Sequence, residues 1–362
     1  MIRLLHTADL HLDSKLNTRL DERRLKIRRN ELSAVPERIA QKARELSCRA
    51  VLLCGDVFDR AKPTETSMRR FKKVLEDYPD LDFLLLLGNH DGGISPSRFA
   101  DWNCPNLKLF PKKGWGSYDY PEVSVSGTED LESATVEKLP QRSGTHIVML
   151  HGEIRDGMAI QKDTIPLGRF RGKGIDYLAL GHYHSYAEQA LDQRGICVYS
   201  GCPEGRGMDE TGEKGVVLIE VDQGRVSHRF IPMAQRQIFD LELHVDEQDA
   251  FEDVREKVGK AVSGISQDSI VRVRLTGRSG DRTSLYPEIL DADLNEKFFF
   301  AWTENKTVCS AGAGDEDEVS VRSEFIRTVR EDTALSDEDK EAVLQYGLAA
   351  LNKDRHTFED IL

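Results

Sequence analysis

AVLLCGDVFD, residues 50–59, and FLLLLGNHD, residues 83–91, are the stretches of sequence that decide the fold. In each, an unbroken apolar run stops at a glycine and polar residues follow at once. Runs that are apolar on both faces are typical of strands buried inside a layered α/β core. The same pattern recurs in LLHTADLH (4–11), HIVMLHGE (146–153) and YLALGHYH (177–184). The sequence therefore predicts buried strands that carry polar residues at one end.

The polar residues at these strand ends form a candidate site for two divalent metal ions. They are Asp9, His11, Asp56, Asn89, His90, His151, His182 and His184. Residues two apart on a strand point to the same side, so the first two and the last two can each face one cavity. Carboxylate, amide and imidazole donors without thiolate favour manganese, iron or zinc over copper, and the imidazoles argue against a pure magnesium or calcium site.

The ligand types allow an assignment to two ions. Asp56 can bridge both, because a carboxylate has two oxygens and the ions of such sites lie about 4 Å apart. We assign Asp9, His11 and His184 to the first ion and Asn89, His151 and His182 to the second, with the bridge shared. Water held between two such ions becomes hydroxide near neutral pH and can attack phosphorus in line.

Two neighbouring residues are left for catalysis. His90 belongs to neither ion, and it is suited to stabilise charge on a phosphate or to protonate the leaving oxygen. Asp91 can fix the tautomer of that histidine by a hydrogen bond, or it can cap the following turn.

Length and composition bound the class of protein. The 362 residues, 39% of them hydrophobic, are enough for two or three domains. No run approaches the roughly 18 apolar residues of a membrane span, and we expect a cytoplasmic protein without a membrane partner. The net charge of −13 argues against a uniformly basic surface that coats nucleic acid, so a polyanion must be held locally.

Two segments are candidates for holding a phosphate. Residues 15–30 contain seven basic and two acidic residues and follow directly on the first ligand pair. They form either a solvated helix face or a phosphate grip made by Lys15, Arg19 and Arg23. Arg206 lies in the glycine-rich loop EGRGMDETGEKG, which either contacts substrate phosphates or only joins two strands.

The order of apolar patterns predicts three regions. Residues 1–232 alternate strands and helices, with helices over 36–46 and 64–76, and then give the shorter strands VSVSGT, HIVML, YLAL, CVYSG, VVLIEV and VSHRFI. These six predict a second sheet packed on the first, which makes a two-sheet sandwich flanked by helices. Residues 236–311 predict a small α+β domain, and 319–362 a helical segment that packs on its own protein or docks a partner.

Five motifs in order, D-x-H, GD-x-x-D, GNHD, a lone histidine and GH-x-H, resemble those of the calcineurin-like metallophosphoesterases. That resemblance implies a four-layer αββα sandwich of two mixed β-sheets. HTADLHLDS, GDVFDRAKPT and YSGCPEGRGMDETGEKGVVLIEV are further similar to SbcD-like and YhaO-like exonucleases of DNA double-strand break repair. In several of those nucleases a histidine that helps to orient the substrate phosphate stands where this chain has Asp59, which can instead accept a hydrogen bond from a ligand histidine.

The resemblance implies a manganese-dependent DNA exonuclease in DNA repair. It implies a coiled-coil ATPase partner of the SbcC or YhaN type and a homodimer formed through helices near 15–30 or 64–76. Residues 236–311 would then be a DNA-binding capping domain, and 319–362 an ATPase-docking region. Two alternatives stay open: a metallophosphoesterase acting on a small nucleotide or a phosphoprotein, and a nucleic-acid-binding or ATPase-binding scaffold that keeps metals for stability.

Overall fold

The apolar runs quoted above form central strands of two six-stranded sheets in a computed structural model of the chain. The structure describes residues 1–16, 19–60, 62–91, 94–95, 97–155, 163–279, 285–309, 321–336, 339–340, 342–344 and 346–347. The chain divides into two compact units, Met1–Ile238 and Phe239–Leu362. The three boundaries expected from the sequence, 1–232, 236–311 and 319–362, stay predictions.

The first unit contains fourteen of the named strands and five of the named α-helices among the described residues. The strands are β1 (Ile2–Thr7), β2 (Ala50–Cys54), β3 (Asp82–Leu86), β4 (Leu107–Leu109), β5 (Gly116–Asp119), β6 (Val123–Gly127), β7 (Thr145–His151), β8 (Glu153–Arg155), β9 (Thr164–Pro166), β10 (Tyr177–Gly181), β11 (Ala187–Ala190), β12 (Ile196–Tyr199), β13 (Gly215–Asp222) and β14 (Arg225–Pro232). The helices are α1 (Glu22–Ser33), α2 (Val35–Glu45), α3 (Glu65–Asp77), α4 (Ser97–Ala100) and α5 (Leu131–Ala134). The two predicted helices, 36–46 and 64–76, correspond to α2 and α3 within one residue.

The first sheet has the order β14-β13-β1-β2-β3-β4. Strands β1 to β4 run parallel, whereas β13 pairs antiparallel with both β1 and β14. The expectation that VVLIEV and VSHRFI belong to the second sheet was therefore wrong, since they form β13 and β14. The reason is that a strand's own pattern does not identify its partner: Leu4 pairs with Ile219, more than 200 positions along the chain.

The second sheet has the order β11-β12-β10-β7-β6-β5. Its inner strands β6, β7, β10 and β12 are parallel, and the edge strands β5 and β11 are antiparallel to their neighbours. A separate two-stranded ribbon, β8 with β9, follows His151 at the end of β7.

Three apolar clusters define the layers of this unit. Between the sheets pack side chains such as Leu52 and Leu84 from the first and Ile147 and Ala179 from the second. The outer face of the first sheet is covered by α2 and α3. The outer face of the second is covered by α5 and two short 3-10 helices, Val136–Lys138 and Leu167–Arg169. The predicted fold, two mixed sheets flanked by helices, is confirmed.

The second unit has its own small α+β core. It consists of β15 (Ile238–Val245), α6 (Phe251–Ala261), β16 (Ile270–Ser279), α7 (Pro287–Lys297), β17 (Phe300–Asn305), β18 (Val308–Cys309) and α8 (Val321–Glu331). The strand order is β15-β16-β17, and β18 pairs with the far end of β16. Among the described residues of the whole chain, no helix has the length and apolar character needed to span a bilayer.

Candidate metal centre

The candidate ligands converge where parallel strands of both sheets end. Asp9 and His11 follow β1, Asp56 follows β2, and Asn89 follows β3 of the first sheet. From the second sheet, His151 ends β7, and His182 and His184 follow β10. Carboxyl ends of parallel strands meet at one edge of a sheet, which is the usual place of a site in open α/β folds.

The backbone at this edge adopts conformations that non-glycine residues rarely take. Asp9, His11, Asp56 and His182 have φ angles of 55°, 44°, 51° and 101°. Such angles cost of the order of 1–3 kcal/mol each and persist where the surroundings fix them, commonly at functional sites. Gly88 allows close approach of β3, because any side chain there would overlap the carboxylate of Asp56.

Two groups of ligand atoms lie as close together as ligands of a shared ion. In the first, Nε2 of His11 lies 3.2 Å from Nε2 of His184, and both lie near the Asp9 carboxylate. In the second, Oδ1 of Asn89 lies 2.9 Å from Nε2 of His151 and 3.3 Å from Nδ1 of His182. Ligands about 2.1 Å from one ion and at right angles are about 3 Å apart, so both groups fit a metal ion.

The Asp56 carboxylate faces both groups. Its Oδ2 atom lies 3.3 Å from Nε2 of His151 and 3.8 Å from Nε2 of His11. Asp56 is almost completely buried, and its Oδ1 atom accepts a hydrogen bond from the His90 backbone N–H at 2.9 Å. The second sheet is tied in by Asp9, whose two oxygens accept from the His182 backbone N–H at 3.0 Å.

Three ligand histidines have a fixed partner on the ring nitrogen that points away from the cluster. Nδ1 of His11 lies 2.9 Å from Oδ1 of Asp59, and Nδ1 of His184 lies 2.8 Å from Oε1 of Glu210. Nδ1 of His151 lies 2.9 Å from the Cys54 carbonyl oxygen. Such acceptors hold the tautomer that leaves Nε2 free to bind a metal. Glu210 was missed from the sequence, because nothing local marks it in its loop.

Burial and mutual charge shift the pKa values of these groups. Burial raises the pKa of Asp9 to about 6 and lowers that of His11 to about 3. Burial opposes ionisation of both Asp56 and His151, but their mutual ion pair outweighs it. The pKa of Asp56 is thus lowered to about 2, and the pKa of His151 is raised to about 9. A cation in this cluster would take the place of protons on imidazole.

His90 and its two neighbouring carboxylates take different positions. The imidazole of His90 is 46% exposed, packs edge-on against His11, and has Nδ1 3.5 Å from Oδ1 of Asp59. Asp91, in contrast, is fully buried, and its carboxylate accepts hydrogen bonds from the backbone N–H groups of Val57, Phe58 and Gly88. The Asp91 carboxylate therefore does not orient His90, contrary to the first of the two roles expected for it. It holds the loops after β2 and β3 together, and Asp59 is the acid that faces His90.

Arg206 lies at the edge of the cluster but is engaged by acids. Its guanidinium contacts Glu210, and its Nη1 atom lies 3.8 Å from Oδ1 of Asp59. The Nη2 atom of Arg206 is 3.3 Å from Nδ1 of His184. These contacts orient the acceptor of a ligand histidine, and the expected contact of Arg206 with substrate phosphate stays a prediction.

A polar hollow of about 380 Å³ adjoins the cluster through His11. Its charged lining consists of four cations and one carboxylate: Lys15, Arg29, Arg60, Arg70 and Asp13. Of the three basic residues expected to hold phosphate in the segment 15–30, only Lys15 lines the hollow, whereas Arg19 and Arg23 are exposed outside it. Arg29 lies on α1 within the predicted segment 15–30, whereas Arg60 and Arg70 were missed, because they come from the loop after β2 and from α3.

A two-sheet sandwich that gathers aspartate, asparagine and histidine at its strand ends has the architecture of a metal-dependent hydrolase. A sequence model of the calcineurin-like phosphoesterases matches residues 2–186, just over half of the chain. The chain belongs to this family of metal-dependent, hydrolytic enzymes, as its five motifs predict.

Curated proteins similar to this chain include a metallophosphoesterase, YhaO, and DNA double-strand break repair proteins named Mre11. Metallophosphoesterase YhaO of Bacillus subtilis is 28% identical over 63% of this chain and 60% of its own length. DNA double-strand break repair protein Mre11 is 23% identical in Methanosarcina acetivorans, over 77% of this chain and 46% of that protein. Mre11 of Sulfolobus acidocaldarius is 24% identical over 76% of this chain and 75% of its own length. The chain spans about half to 60% of the length of the first relatives it matches.

Solved structures similar to this chain include two of low sequence identity. A dimetal phosphatase from Danio rerio covers 63% of the chain, with 10% identity and a TM-score of 0.45. Protein TT1561 of Thermus thermophilus covers 63%, with 12% identity and a TM-score of 0.42.

Proposed function

We propose that this chain is a DNA phosphodiesterase, an exonuclease of the SbcD type that acts in DNA repair. The observation that carries the proposal is the continuity of the candidate metal centre with the cationic hollow beside His11. A phosphodiester at the metal centre leaves the next phosphates of a polymer to be held nearby, whereas a small monoester makes no use of such a hollow. The name that the Mre11 relatives carry points to the same substrate.

The charge of the hollow suits a nucleic-acid backbone. Among the described residues, no carboxylate lies within ion-pair distance of Lys15, Arg29, Arg60 or Arg70. Arg60 donates to the Asp13 carbonyl oxygen, and Arg70 donates to a serine hydroxyl, so neither charge is neutralised. On a chain with a net charge of −13, this local excess of cations provides the attraction that a polyanion needs.

We propose that the two groups of ligand atoms hold two divalent ions. Asp9, His11 and His184 belong to the first and Asn89, His151 and His182 to the second, with Asp56 between them. The donor set suits manganese, and iron, zinc, cobalt or magnesium are alternatives. Bound ions supply an activated water molecule and neutralise charge on the phosphodiester.

In this proposal, the protein's own catalytic contribution comes from His90. Its imidazole is exposed beside the cluster, while its backbone N–H is held by Asp56, so the ring has a fixed place from which to donate a proton. Protonated, it would stabilise charge on a phosphate oxygen or give its proton to the leaving oxygen. Asp59 faces the same ring and orients it, and it also orients His11.

The proposed partners follow from the motif resemblance. They are DNA, a coiled-coil ATPase of the SbcC or YhaN type, and a second copy of this chain. A role of the region 236–311 in DNA binding is part of the same proposal. On β16 of that region, Arg272 and Arg274 both contact Asp240, so these two charges are engaged internally. The DNA path proposed from the described contacts therefore lies on the first unit.

The test is cleavage of end-labelled single-stranded and double-stranded DNA by the purified chain with manganese, beside a nitrophenyl diester and a monoester. We expect degradation of linear DNA and of the diester. Hydrolysis of the monoester alone would refute the proposal and favour a small-molecule phosphatase. The variant His90→Asn should lose turnover while keeping its metal content; unchanged turnover in that variant would remove His90 from the mechanism.

The hollow is tested by salt dependence of DNA binding. Replacing Lys15 and Arg29 by alanine should reduce the slope of log Kd against log salt by about one for each charge removed. The matched control is Lys113→Ala, an exposed lysine that does not line the hollow. An unchanged slope in the double variant would show that DNA does not pass through the hollow.

A further inference from the structure

A second cavity adjoins the candidate metal centre on the side of the second sheet. It has a volume of about 280 Å³ and shares His182 with the cluster of ligands. Its apolar lining comes mainly from Tyr183, Tyr199, Ile154 and Cys197. The metal centre therefore lies between two hollows of opposite character, one cationic and reached through His11, the other aromatic and reached through His182.

The two tyrosines make a built aromatic wall. The hydroxyl of Tyr199 donates to the Gly152 carbonyl oxygen and accepts from the Ile154 backbone N–H, both at 2.9 Å, so its ring is anchored at both sides of the oxygen. Tyr183 packs edge-on against Tyr199, with ring centroids 5.8 Å apart at 64°. Tyr183 is 56% exposed, so its ring is accessible to a ligand. An edge-on contact leaves ring faces available to a flat ligand.

The charge of the described lining disfavours a phosphate. Among the described residues, the acids that line the cavity are Glu153 and Glu188, and no lysine or arginine lines it. Glu188 already accepts from Tyr186 and His228, and Glu153 from Arg155. A neutral flat ring with hydrogen-bond donors at its edge suits such a lining, whereas an anion would be repelled.

We propose that this cavity binds the unpaired base next to the phosphate held at the metal centre, by stacking on Tyr183. The inference rests on the proposed nuclease function and deepens it, because it makes an unstacked nucleotide end the preferred substrate. Tyr183 and the candidate ligand His182 both line this cavity, so a base stacked on the tyrosine ring lies beside the metal centre that would hold the phosphate of the same nucleotide. Nucleic-acid-binding proteins use aromatic rings in this way without reading sequence.

The experiment compares binding of two fluorescent single-stranded oligonucleotides, one with bases throughout and one with abasic residues at the end. Both oligonucleotides carry non-hydrolysable linkages, so that binding can be followed by anisotropy with manganese bound and without cleavage. The wild type should bind the base-bearing oligonucleotide about tenfold more tightly, within the range for one base on an aromatic ring. This preference should disappear in Tyr183→Ala and persist in Tyr183→Phe.

A third variant separates stacking from apolar contact. Tyr183→Leu keeps apolar bulk but has no aromatic face, so it should behave as the alanine variant does, and circular dichroism checks that each variant is folded. A preference that is absent in the wild type, or that survives in both the alanine and leucine variants, overturns the inference while DNA cleavage continues. If the wild type neither binds nor cleaves DNA but hydrolyses the nitrophenyl substrates, the proposed function itself has failed and the inference falls with it.

Discussion

Replacing Asp59 with alanine should weaken metal binding by the first group of ligands. The carboxylate accepts a hydrogen bond from Nδ1 of His11 at 2.9 Å, and this imidazole is only 2% exposed. Without that acceptor, the ring loses both the partner that fixes its tautomer and the charge that raises its basicity.

The size of the effect follows from the kind of contact that is lost. A hydrogen bond to a charged acceptor contributes about 1.5–3 kcal/mol. Since about 1.4 kcal/mol is a factor of ten, the affinity for the first ion should fall by about 10- to 100-fold. Asp59→Asn keeps an acceptor oxygen but removes the charge, so its loss should be only a part of that of Asp59→Ala.

The assay is a manganese titration of the metal-free protein by calorimetry, without substrate. The matched control is Asp101→Ala, which removes an exposed carboxylate away from the described ligands. Two classes of site are expected in the wild type, and only one should weaken in the variant. An affinity of Asp59→Ala equal to that of Asp101→Ala would refute the role given to this contact.

Two further predictions concern the stability of the first unit. Glu204 is 3% exposed, and its carboxylate accepts hydrogen bonds from Arg28, Arg38 and two backbone N–H groups. Because breaking a buried ion pair is costly, Glu204→Ala should lower the free energy of unfolding by about 3–5 kcal/mol. Urea denaturation measures this change. His6 is fully buried, and its pKa is lowered to about 3 from the ordinary 6.5 by burial. The unfolded chain therefore binds the proton more readily, so this group's contribution to stability is complete above pH 6.5 and is lost as the pH falls towards 3, by up to about 1.4 kcal/mol per pH unit. His6→Gln, which can still donate to the Leu180 carbonyl oxygen, should flatten that slope in unfolding curves recorded with chelator.

Each of these two stability predictions has a control experiment that can contradict it. Glu45→Ala removes an exposed partner of Lys42, an ion pair that contributes little because water screens it, so an equal cost for Glu204→Ala would refute the buried network. For His6, the same pH slope in wild type and variant would show that the ring does not stay neutral in the folded protein.

The convergence of the candidate ligands at one edge could be predicted from the sequence because their positions follow from local rules. An apolar run of five residues defines a buried strand, and the polar residue that follows must then lie at the edge of a sheet. Asp56 and Asn89 are found in this way without any knowledge of the partners. The convergence of His151 and His182 with them needed only the assumption that the sheets pack face to face.

The features that could not be predicted from the sequence depend on contacts between distant segments of the chain. Asp91 adjoins His90 in the chain, yet its carboxylate turns to backbone donors of another loop, a direction that adjacency does not determine. Glu210 and Arg70 reach the site from a loop and a helix whose own patterns are ordinary. The strand β13 has the same apolar run in either sheet, and only its pairing with β1 decides its place.

The left-handed backbone at Asp9 and His182 affects how ligand-deletion experiments on this protein should be designed. Alanine at either position would remove the side chain but keep the Cβ strain that the wild type already carries, so its difference from the wild type reports the loss of the side chain. Glycine removes the ligand and relieves the backbone together. A pair of alanine and glycine replacements at each position would therefore separate the energy of holding the loop from the energy of holding the ion.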